Sequence, residues 1–346
     1  MELRNSYITK NDNFFFINIW VTLYCNYKCK YCYETSDKPN MYMSVDTADD
    51  VVKFIINETK KENCNSIWIN FHGGEPSLNT LVIKHIVERI SEEMPEHKLH
   101  TSMTTNCSTF NESICDYISE LTVSLDGIGE AHDLNRITRD GKGTFENSMI
   151  NALKYLEIYK DELRLRTVIT PNNVEYVAEG IEYLYSLGFR IIVPGIDYFS
   201  DQWTEELFDK LYEQFCYIKK FYNTCEPKTL IGLIDDPISP KGKCYVGCDG
   251  SNVSVDGKLY SCTYVVGEKE YCIGDVCSGT DEEKIGTINC LNKKEVEECK
   301  DCNYYNYCTS PRCLILNKKL TGDYYTPSAI VCAEENLKLK VKEYKI

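Results

Sequence analysis

Three cysteines near the start of the chain, Cys25, Cys29 and Cys32, are spaced as CxxxCxxC. Closed iron-sulfur and zinc sites normally take four protein ligands, whereas a site that carries out chemistry keeps one metal position open. Three thiolates therefore favour a [4Fe-4S] cluster with one iron that the protein does not bind. A zinc ion with a fourth ligand from a distant part of the chain is the alternative that the spacing leaves open.

Polar and glycine-rich motifs stand at the ends of the strand-like segments that follow. Active sites of parallel barrels lie at the carboxyl ends of the strands, so these motifs are candidates for one shared site. Any one of them could be an ordinary turn, but four together with the three-cysteine loop indicate a binding site. They are His72-Gly73-Gly74-Glu75-Pro76, Thr104-Thr105-Asn106, Ser124-Leu125-Asp126-Gly127 and, on the fifth segment, Arg166 with Thr167.

The elements that must position these residues alternate between short apolar segments and longer amphipathic ones, which is typical of repeated βα units. Six such units predict an α/β fold, a partial (β/α)6 TIM-like barrel. The predicted strands are 15–23, 66–71, 99–104, 121–125, 163–169 and 190–196. The predicted helices are 44–59, 80–92, 145–159, 174–187 and 204–222.

After residue 222 the periodicity fades, and the chain becomes rich in cysteine, glycine, aspartate, asparagine and tyrosine. We therefore predict a barrel over 14–222, a linker over 223–242, and a cysteine-rich domain with a C-terminal helix over 243–346. Within that domain a hairpin with strands 252–255 and 258–261 is predicted around Asp256 and Gly257. So small and loop-rich a domain has little core and needs additional links for stability.

Composition limits the compartment and the class of partner. The chain has 346 residues, 43% of them apolar, which is enough for a large core and a smaller one. A net charge of -15 opposes binding to nucleic acid or anionic membranes and suits a basic peptide. Residues 1–13 carry no apolar signal segment, and no 18 apolar residues run together, so we expect a soluble cytoplasmic protein. In the reducing cytoplasm the 19 cysteines are expected to hold metal rather than form disulfides.

The motifs CxxxCxxC, GGEP, TxN and SxDG, followed by His132-Asp133-Leu134-Asn135-Arg136 and Gly143-Thr144-Phe145, resemble the radical S-adenosylmethionine superfamily over about residues 14–200. The resemblance implies that the amino and carboxylate groups of S-adenosylmethionine bind the open iron. It also implies that reductive cleavage of this cofactor yields a 5'-deoxyadenosyl radical, which abstracts a hydrogen atom from the substrate. An electron donor such as a flavodoxin or ferredoxin would then be a partner.

The same resemblance implies roles for individual residues. Cys25, Cys29 and Cys32 would hold the cluster, and Tyr31 would lie near the adenine. The methionine amino group would meet Gly73, Gly74 and Glu75, its carboxylate and the ribose would meet Ser124 and Arg166, and further cofactor contacts would come from Asn106, Asp126 and Arg136. Two alternatives stay open: Asp126 could be a turn residue before Gly127, and Arg136 could simply pair with a carboxylate.

The cysteines of the last third resemble the SPASM domain of peptide-modifying radical enzymes. The resemblance implies two auxiliary [4Fe-4S] clusters, and therefore three clusters in all. The nearer would be bound by Cys244, Cys248, Cys262 and Cys313, and the farther by Cys299, Cys302, Cys308 and Cys332. One departure is that four residues rather than three separate Cys308 from Cys313. Zinc ribbons are the alternative, because CxxC pairs also bind zinc.

Eight cysteines remain outside these sets and are expected to be small buried apolar residues. Two of them lie close in sequence to the cysteine-rich motifs and could be alternative ligands or hydrogen-atom donors, namely Cys272 and Cys277. The other six are Cys64, Cys107, Cys115, Cys216, Cys225 and Cys290.

Family members with a SPASM domain modify proteins or ribosomally made peptides, so a precursor peptide is the expected substrate. Sulfatase maturases of the family carry an aspartate base directly after the cysteine that corresponds to Cys262, and here that position is Thr263. Threonine cannot take a proton near neutral pH, so we expect thioether or carbon-carbon crosslinks, with formylglycine formation by a sulfatase maturase as the alternative. Leader recognition would use a separate protein or an acidic cleft. Two alternatives belong to other classes of function. One is an iron-sulfur electron carrier without catalytic activity, and the other is a binding module stabilised by zinc.

Overall fold

The protein is represented by a computed structural model, which describes residues 13–34, 38–236, 240–241, 252–291 and 293–345. Strands alternate with helices over the first two-thirds of the chain, as the sequence predicts. All six predicted strands are present, with ends that shift by one or two residues. They are β1 (Phe14–Thr22), β2 (Ser66–Gly73), β3 (Lys98–Thr105), β4 (Glu120–Ser124), β5 (Arg164–Ile169) and β6 (Ile191–Ile196).

The predicted helices lie between these strands and after the last of them, together with one additional short helix. The additional helix, α3, begins at a glycine and is too short for its periodicity to be recognised in the sequence. The helices are α1 (Val45–Lys61), α2 (Thr80–Glu93), α3 (Gly129–Asp133), α4 (Phe145–Tyr159), α5 (Val177–Ser186) and α6 (Glu205–Tyr222).

Local sequence explains where α1 begins and ends. The side chain of Ser44 caps the helix by accepting a hydrogen bond from the backbone N–H of Thr47 at 3.0 Å. Acidic Asp46 lies in the first turn and basic Lys60 and Lys61 lie in the last, which suits the helix dipole. One face of the helix is buried and packs on the sheet, with Val51, Val52, Phe54 and Ile55 among its residues.

The last third contains shorter elements, including the predicted hairpin. Strands β8 (Asn252–Val253) and β9 (Lys258–Tyr260) are antiparallel, and Gly257 in their turn has a φ of 79°, which favours glycine. A strand that the sequence analysis did not predict, β7, lies within the predicted linker. The remaining elements are β7 (Leu230–Ile231), β10 (Cys272–Asp275), β11 (Gly279–Thr280), α7 (Glu282–Leu291), α8 (Leu314–Thr321) and α9 (Ala329–Glu343), the predicted C-terminal helix.

The chain divides into two compact units that each combine early and late segments. The first unit comprises Met1–Asn26, Glu34–Thr122 and Tyr245–Cys290, and the second comprises Tyr27–Tyr33, Val123–Cys244 and Leu291–Ile346. The predicted domain boundaries therefore stay a prediction, because each unit contains residues from both sides of them.

In the first unit, β1 pairs in parallel with β2 and β8, and β2 pairs in parallel with β3. Strand β9 pairs with β8 and β10 pairs with β9, and both of these pairs are antiparallel. In the second unit, β5, β6 and β7 are parallel neighbours. Parallel strands place their carboxyl ends at one edge, which is where the motifs of the candidate site begin.

Each unit has its own buried apolar side chains. Trp20 and Phe71 are almost fully buried in the first unit, and Tyr155, Phe189 and Phe215 are fully buried in the second. Aromatic residues of this size contribute much of the buried apolar area of a core. Among the helices that the structure describes, none combines the length and apolar character needed to cross a bilayer.

Candidate functional site

Cys25 lies just beyond β1 in the first unit, and its thiol contacts a side chain from the end of β3. The amide Nδ2 of Asn106 lies 3.6 Å from Cys25 Sγ and 3.0 Å from Asn26 Oδ1, and Asn106 Oδ1 accepts from the backbone of Ser108. An N–H donor on a cluster thiolate stabilises its negative charge and adjusts the reduction potential. Asn106, which the resemblance assigns to the cofactor, therefore directs its amide at the loop that carries Cys25.

The two glycines of the GGEP motif allow β2 to approach the end of β1 very closely. A β-carbon on Gly73 would lie 2.1 Å from the carbonyl oxygen of Thr22, and one on Gly74 would lie 2.2 Å from that of Tyr24. Gly73 also has a φ of 136°, which disfavours other residues. The amide of Gly74 donates to Thr22 at 3.0 Å, so the glycines hold the backbone that leads to Cys25.

Glu75 is buried and joins the GGEP motif to the end of β3. Its carboxylate accepts from the hydroxyl of Thr105 at 2.7 Å and from the backbone N–H of Asn106 at 2.6 Å. A third bond comes from the backbone of Ser77 at 3.1 Å. Burial raises the pKa of Glu75 although these donors act in the opposite direction. The carboxylate thus fastens two of the predicted binding motifs together.

In the second unit, three residues that the resemblance assigns to the cofactor form one polar cluster. Asp126 Oδ2 accepts from the hydroxyl of Tyr31 at 2.7 Å and from Arg136 Nε at 3.0 Å. Asp126 Oδ1 accepts from the backbone of Val168 at 2.8 Å. The guanidinium of Arg136 also lies 5.2 Å from the centroid of the Tyr31 ring. Arg136 therefore forms an ion pair with Asp126, and its contact with the cofactor stays a prediction.

The loop that carries Cys29 and Cys32 is fixed to the segment after α3. The backbone of Lys28 donates to Ile137 at 2.7 Å, that of Lys30 donates to Asn135 at 3.0 Å, and the amide of Cys32 donates to Cys29 at 3.2 Å. These bonds join the segment 135–137 to the cysteine loop. Burial would lower the pKa of Arg136, but Asp126 and then Tyr31 and Cys29 raise it, so the guanidinium stays charged beside the cysteine loop.

Ser124 and Arg166 differ in their surroundings. Ser124 is buried at the end of β4. Arg166 is exposed on β5, and its side chain makes no hydrogen bond, ion pair or ring contact with the residues that the structure describes. An unpaired guanidinium can bind a carboxylate through two parallel hydrogen bonds.

Four cysteines of the second unit are close enough to influence one another's ionisation. Burial, followed by Cys308, Cys332 and Cys302, raises the pKa of Cys299 to about 11. Neighbouring thiolates repel one another in a half-buried environment unless a cation compensates their charge. Cys299, Cys302, Cys308 and Cys332, which the resemblance assigns to the farther auxiliary cluster, therefore fit a cationic metal cluster by their chemistry.

Glu335, which the sequence analysis did not single out, holds the Cys308 loop to α9. Its Oε1 accepts from Lys241 Nζ at 2.8 Å and from the hydroxyl of Thr309 at 2.6 Å. Arg312 adds a bond to the carbonyl of Cys308 at 2.9 Å. The only sequence signal for Glu335 is its position one helical turn after Cys332. We call Lys241, Thr309 and Glu335 the clasp.

The cysteines assigned to the nearer auxiliary cluster are described only in part. Cys244 and Cys248 lie outside the described residues. Cys262 follows β9 in the first unit, and Cys313 immediately precedes α8 in the second. Thr263 is half-buried, and burial raises the pKa of Cys262 although a hydrogen bond from Thr263 acts to lower it.

The other cysteines behave as expected in five positions and differently in three. The five that are buried are Cys64, Cys107, Cys115, Cys216 and Cys225. The expectation of burial is wrong for Cys272, Cys277 and Cys290, because they lie on β10, in the turn between β10 and β11, and on α7. Cys277 Sγ lies 3.6 Å from Asp50 Oδ2.

The described part of the chain contains 17 cysteines. None of the cysteines there forms a disulfide bond. Across the same residues, no three histidine, cysteine, aspartate or glutamate side chains lie close enough to hold a single metal ion.

Comparisons with known proteins agree with these features. The family model of a 4Fe-4S single cluster domain matches residues 16–150. A cysteine-type anaerobic sulfatase-maturating enzyme of Clostridium novyi is 27% identical over 322 residues, which are 83% of this chain and 84% of that protein. An uncharacterised protein of Methanocaldococcus jannaschii is 28% identical over 77% of this chain and 88% of its own length.

Two solved structures share the fold. Native anSMEcpe with bound AdoMet superimposes with a TM-score of 0.77 at 22% identity, over 94% of this chain and 96% of that one. Streptococcus suis SuiB bound to S-adenosylmethionine gives a TM-score of 0.64 at 16% identity, over 92% of this chain and 77% of that one. The predicted α/β class is confirmed. The motifs, the fold and these relatives together show that this chain resembles the radical S-adenosylmethionine enzymes with a cysteine-rich C-terminal region, among them sulfatase maturases and peptide modifiers.

Proposed function

We propose that this protein is a radical S-adenosylmethionine enzyme that crosslinks a ribosomally made peptide, through thioether bonds in preference to carbon-carbon bonds. The fold supports a peptide substrate. This chain shares its fold with native anSMEcpe bound to AdoMet and a Cp18Cys peptide, at a TM-score of 0.76. SuiB bound to its precursor peptide SuiA is a second neighbour of this kind, at a TM-score of 0.64. The acidic net charge of -15 favours a basic peptide.

The residues described above fit the cofactors that this proposal requires. When bound to a reduced cluster, S-adenosylmethionine supplies a radical that can abstract a hydrogen atom from an unactivated carbon. Cys25, Cys29 and Cys32 would hold the catalytic cluster, and Arg166 would orient the cofactor through its carboxylate. The auxiliary cysteines would hold two further clusters, with a flavodoxin or ferredoxin as electron donor and, where a leader sequence is read, a separate recognition protein.

Thr263 is the observation that carries the choice of reaction. In thioether formation the 5'-deoxyadenosyl radical would take a hydrogen atom from a peptide carbon, and the cysteine thiol would lose a proton, which it does readily. The auxiliary iron-sulfur clusters would supply the acceptor for the one electron that remains when the carbon-sulfur bond forms. Formylglycine formation needs a base, and the residue beside Cys262 is a threonine, whose hydroxyl cannot take a proton near neutral pH. The proposed crosslinking reaction therefore does not require a base at position 263.

Replacing Thr263 with alanine tests this proposal on the true precursor peptide. Replacement of a catalytic base lowers the rate of an enzyme at least about a hundredfold. We expect the crosslinking rate of T263A to stay within about twofold of the wild-type rate. Mass spectrometry should show a loss of two hydrogens per crosslink and a cysteine that resists alkylation. A matched substitution, Tyr264→Phe at the adjacent position, controls for disturbance of the turn.

Sulfatase maturation is the second candidate, because the Clostridium novyi relative bears that name and covers most of the chain. A sulfatase-derived peptide incubated with the reconstituted enzyme distinguishes the two reactions. Formylglycine in that peptide would replace the crosslinking proposal, and an unmodified sulfatase peptide beside a crosslinked precursor would support it.

A further inference from the structure

Arg166 and Gly195 lie on the same face of neighbouring strands. In the parallel register of β5 and β6, Arg166 is opposite Val193, and Gly195 is opposite Val168. Side chains two residues apart on a strand share a face, so Gly195 lies one step further toward the carboxyl edge than the partner of Arg166. The arginine side chain can therefore extend over Gly195 toward the edge where the candidate site begins.

The guanidinium occupies the space that a side chain at position 195 would take. A β-carbon on Gly195 would lie 2.1 Å from Nη2, 2.5 Å from Cζ and 2.8 Å from Nη1 of Arg166. These are its three nearest neighbours, and all belong to the guanidinium. Ordinary carbon contacts lie near 3.5 Å, so alanine would displace the guanidinium by more than about 1 Å.

We propose that Gly195 is a positioning residue, whose bare backbone sets the guanidinium of Arg166 in the place where it binds a carboxylate. The inference rests on the proposed function, because there the carboxylate belongs to S-adenosylmethionine. A bidentate contact between arginine and carboxylate depends on orientation as well as charge. Binding geometry of this kind tolerates an error of only about 0.5 Å, which is less than the displacement that alanine would cause.

The displacement can be made without damage to the fold. Gly195 does not have the positive φ that would exclude alanine, and the atoms that alanine would meet form the end of a flexible side chain. Arg166 has no partner among the described residues that such a movement would break. A role in packing and a role in positioning Arg166 therefore have different consequences for stability and for binding.

The experiment measures binding of S-adenosylmethionine to the reconstituted holoenzyme by equilibrium dialysis under anaerobic conditions. We expect G195A to bind about tenfold more weakly than the wild type, with unchanged iron content and melting temperature. The double variant with R166A should bind no more weakly than R166A alone. Gly232→Ala is the matched control, since a β-carbon there meets Pro194 and Val193 at 3.3 Å or more and does not meet Arg166.

A second ligand separates the carboxylate contact from the remainder of the site. 5'-Methylthioadenosine lacks the carboxylate, so G195A should bind it as the wild type does. Wild-type affinity of G195A for S-adenosylmethionine, or equal weakening by G195A in the presence and absence of Arg166, would overturn the positioning role. A wild-type holoenzyme that does not bind S-adenosylmethionine would overturn the proposed function and this inference together.

Discussion

At the scale of single residues, buried polar side chains in the second unit are held in one protonation state by their partners. His132 is fully buried, and its Nδ1 accepts from the backbone of Asp126 at 3.3 Å. Its Nε2 lies 3.0 Å from Thr144 Oγ1, whose own proton goes to the carbonyl of Arg136. Nε2 must therefore donate, and the ring is neutral. Burial, with a smaller effect from Arg136, lowers the pKa of His132 to about 2.

This depressed pKa predicts how acid affects stability. The unfolded state takes up a proton near pH 6.5 and the folded state does not, so stability is lost as the pH falls through that range. Between pH 6.5 and pH 5.0 the wild type should lose about 1.5 kcal/mol more unfolding free energy than H132Q. Urea unfolding at both pH values measures this difference. Above pH 7.5 the difference in unfolding free energy between the two proteins should be constant. If the wild type and H132Q lost equal unfolding free energy in acid, His132 would not be neutral in the folded state.

At the scale of elements, side chains from distant segments hold the cysteine loops in place. The clasp of Lys241, Thr309 and Glu335 connects the Cys308 loop to α9, which begins just before Cys332. For Glu335, burial would raise the pKa, but hydrogen bonds from Lys241 and Thr309 lower it, so the carboxylate is charged. Groups that orient metal ligands in this way typically contribute a large part of metal affinity.

Removal of the clasp should loosen the farther auxiliary cluster. We expect E335A to release part of its iron to a chelator about tenfold faster than the wild type, because Cys308 and Cys332 are then less well oriented. Absorbance of the iron–chelator complex follows the release. Glu343→Ala, an exposed change on the same helix, should release iron at the wild-type rate. Identical kinetics for E335A and E343A would show that the clasp has no part in iron binding.

At the scale of the whole molecule, the number of cysteines and their arrangement predict the iron content. Protein reconstituted under anaerobic conditions should hold roughly twelve irons per chain, because three clusters contain four irons each. Alanine at Cys25, Cys29 and Cys32 should leave roughly eight irons and abolish cleavage of S-adenosylmethionine. Iron and zinc analysis by mass spectrometry measures both. An iron content near four per wild-type chain would contradict the auxiliary clusters. Zinc in place of iron would contradict the proposed function.

The sequence by itself determined the features that depend on local spacing. The CxxxCxxC motif, the GGEP motif and the period of the strands and helices are set within a few residues, so the six strands, the limits of α4 and the presence of a C-terminal helix followed from the sequence. Gly257 in the hairpin turn is a further example, since its φ of 79° is a local requirement.

Only the tertiary structure decided which distant side chains meet. Asn106 contacts Cys25 across 81 residues, and Glu335 contacts Lys241 across 94. It also showed that Gly73 and Gly74 are needed for the approach of β2 to the end of β1, and that the bare surface of Gly195 lies beneath Arg166. The physical reason is that such contacts depend on strand register and on the packing of elements, which bring residues together regardless of their separation in sequence.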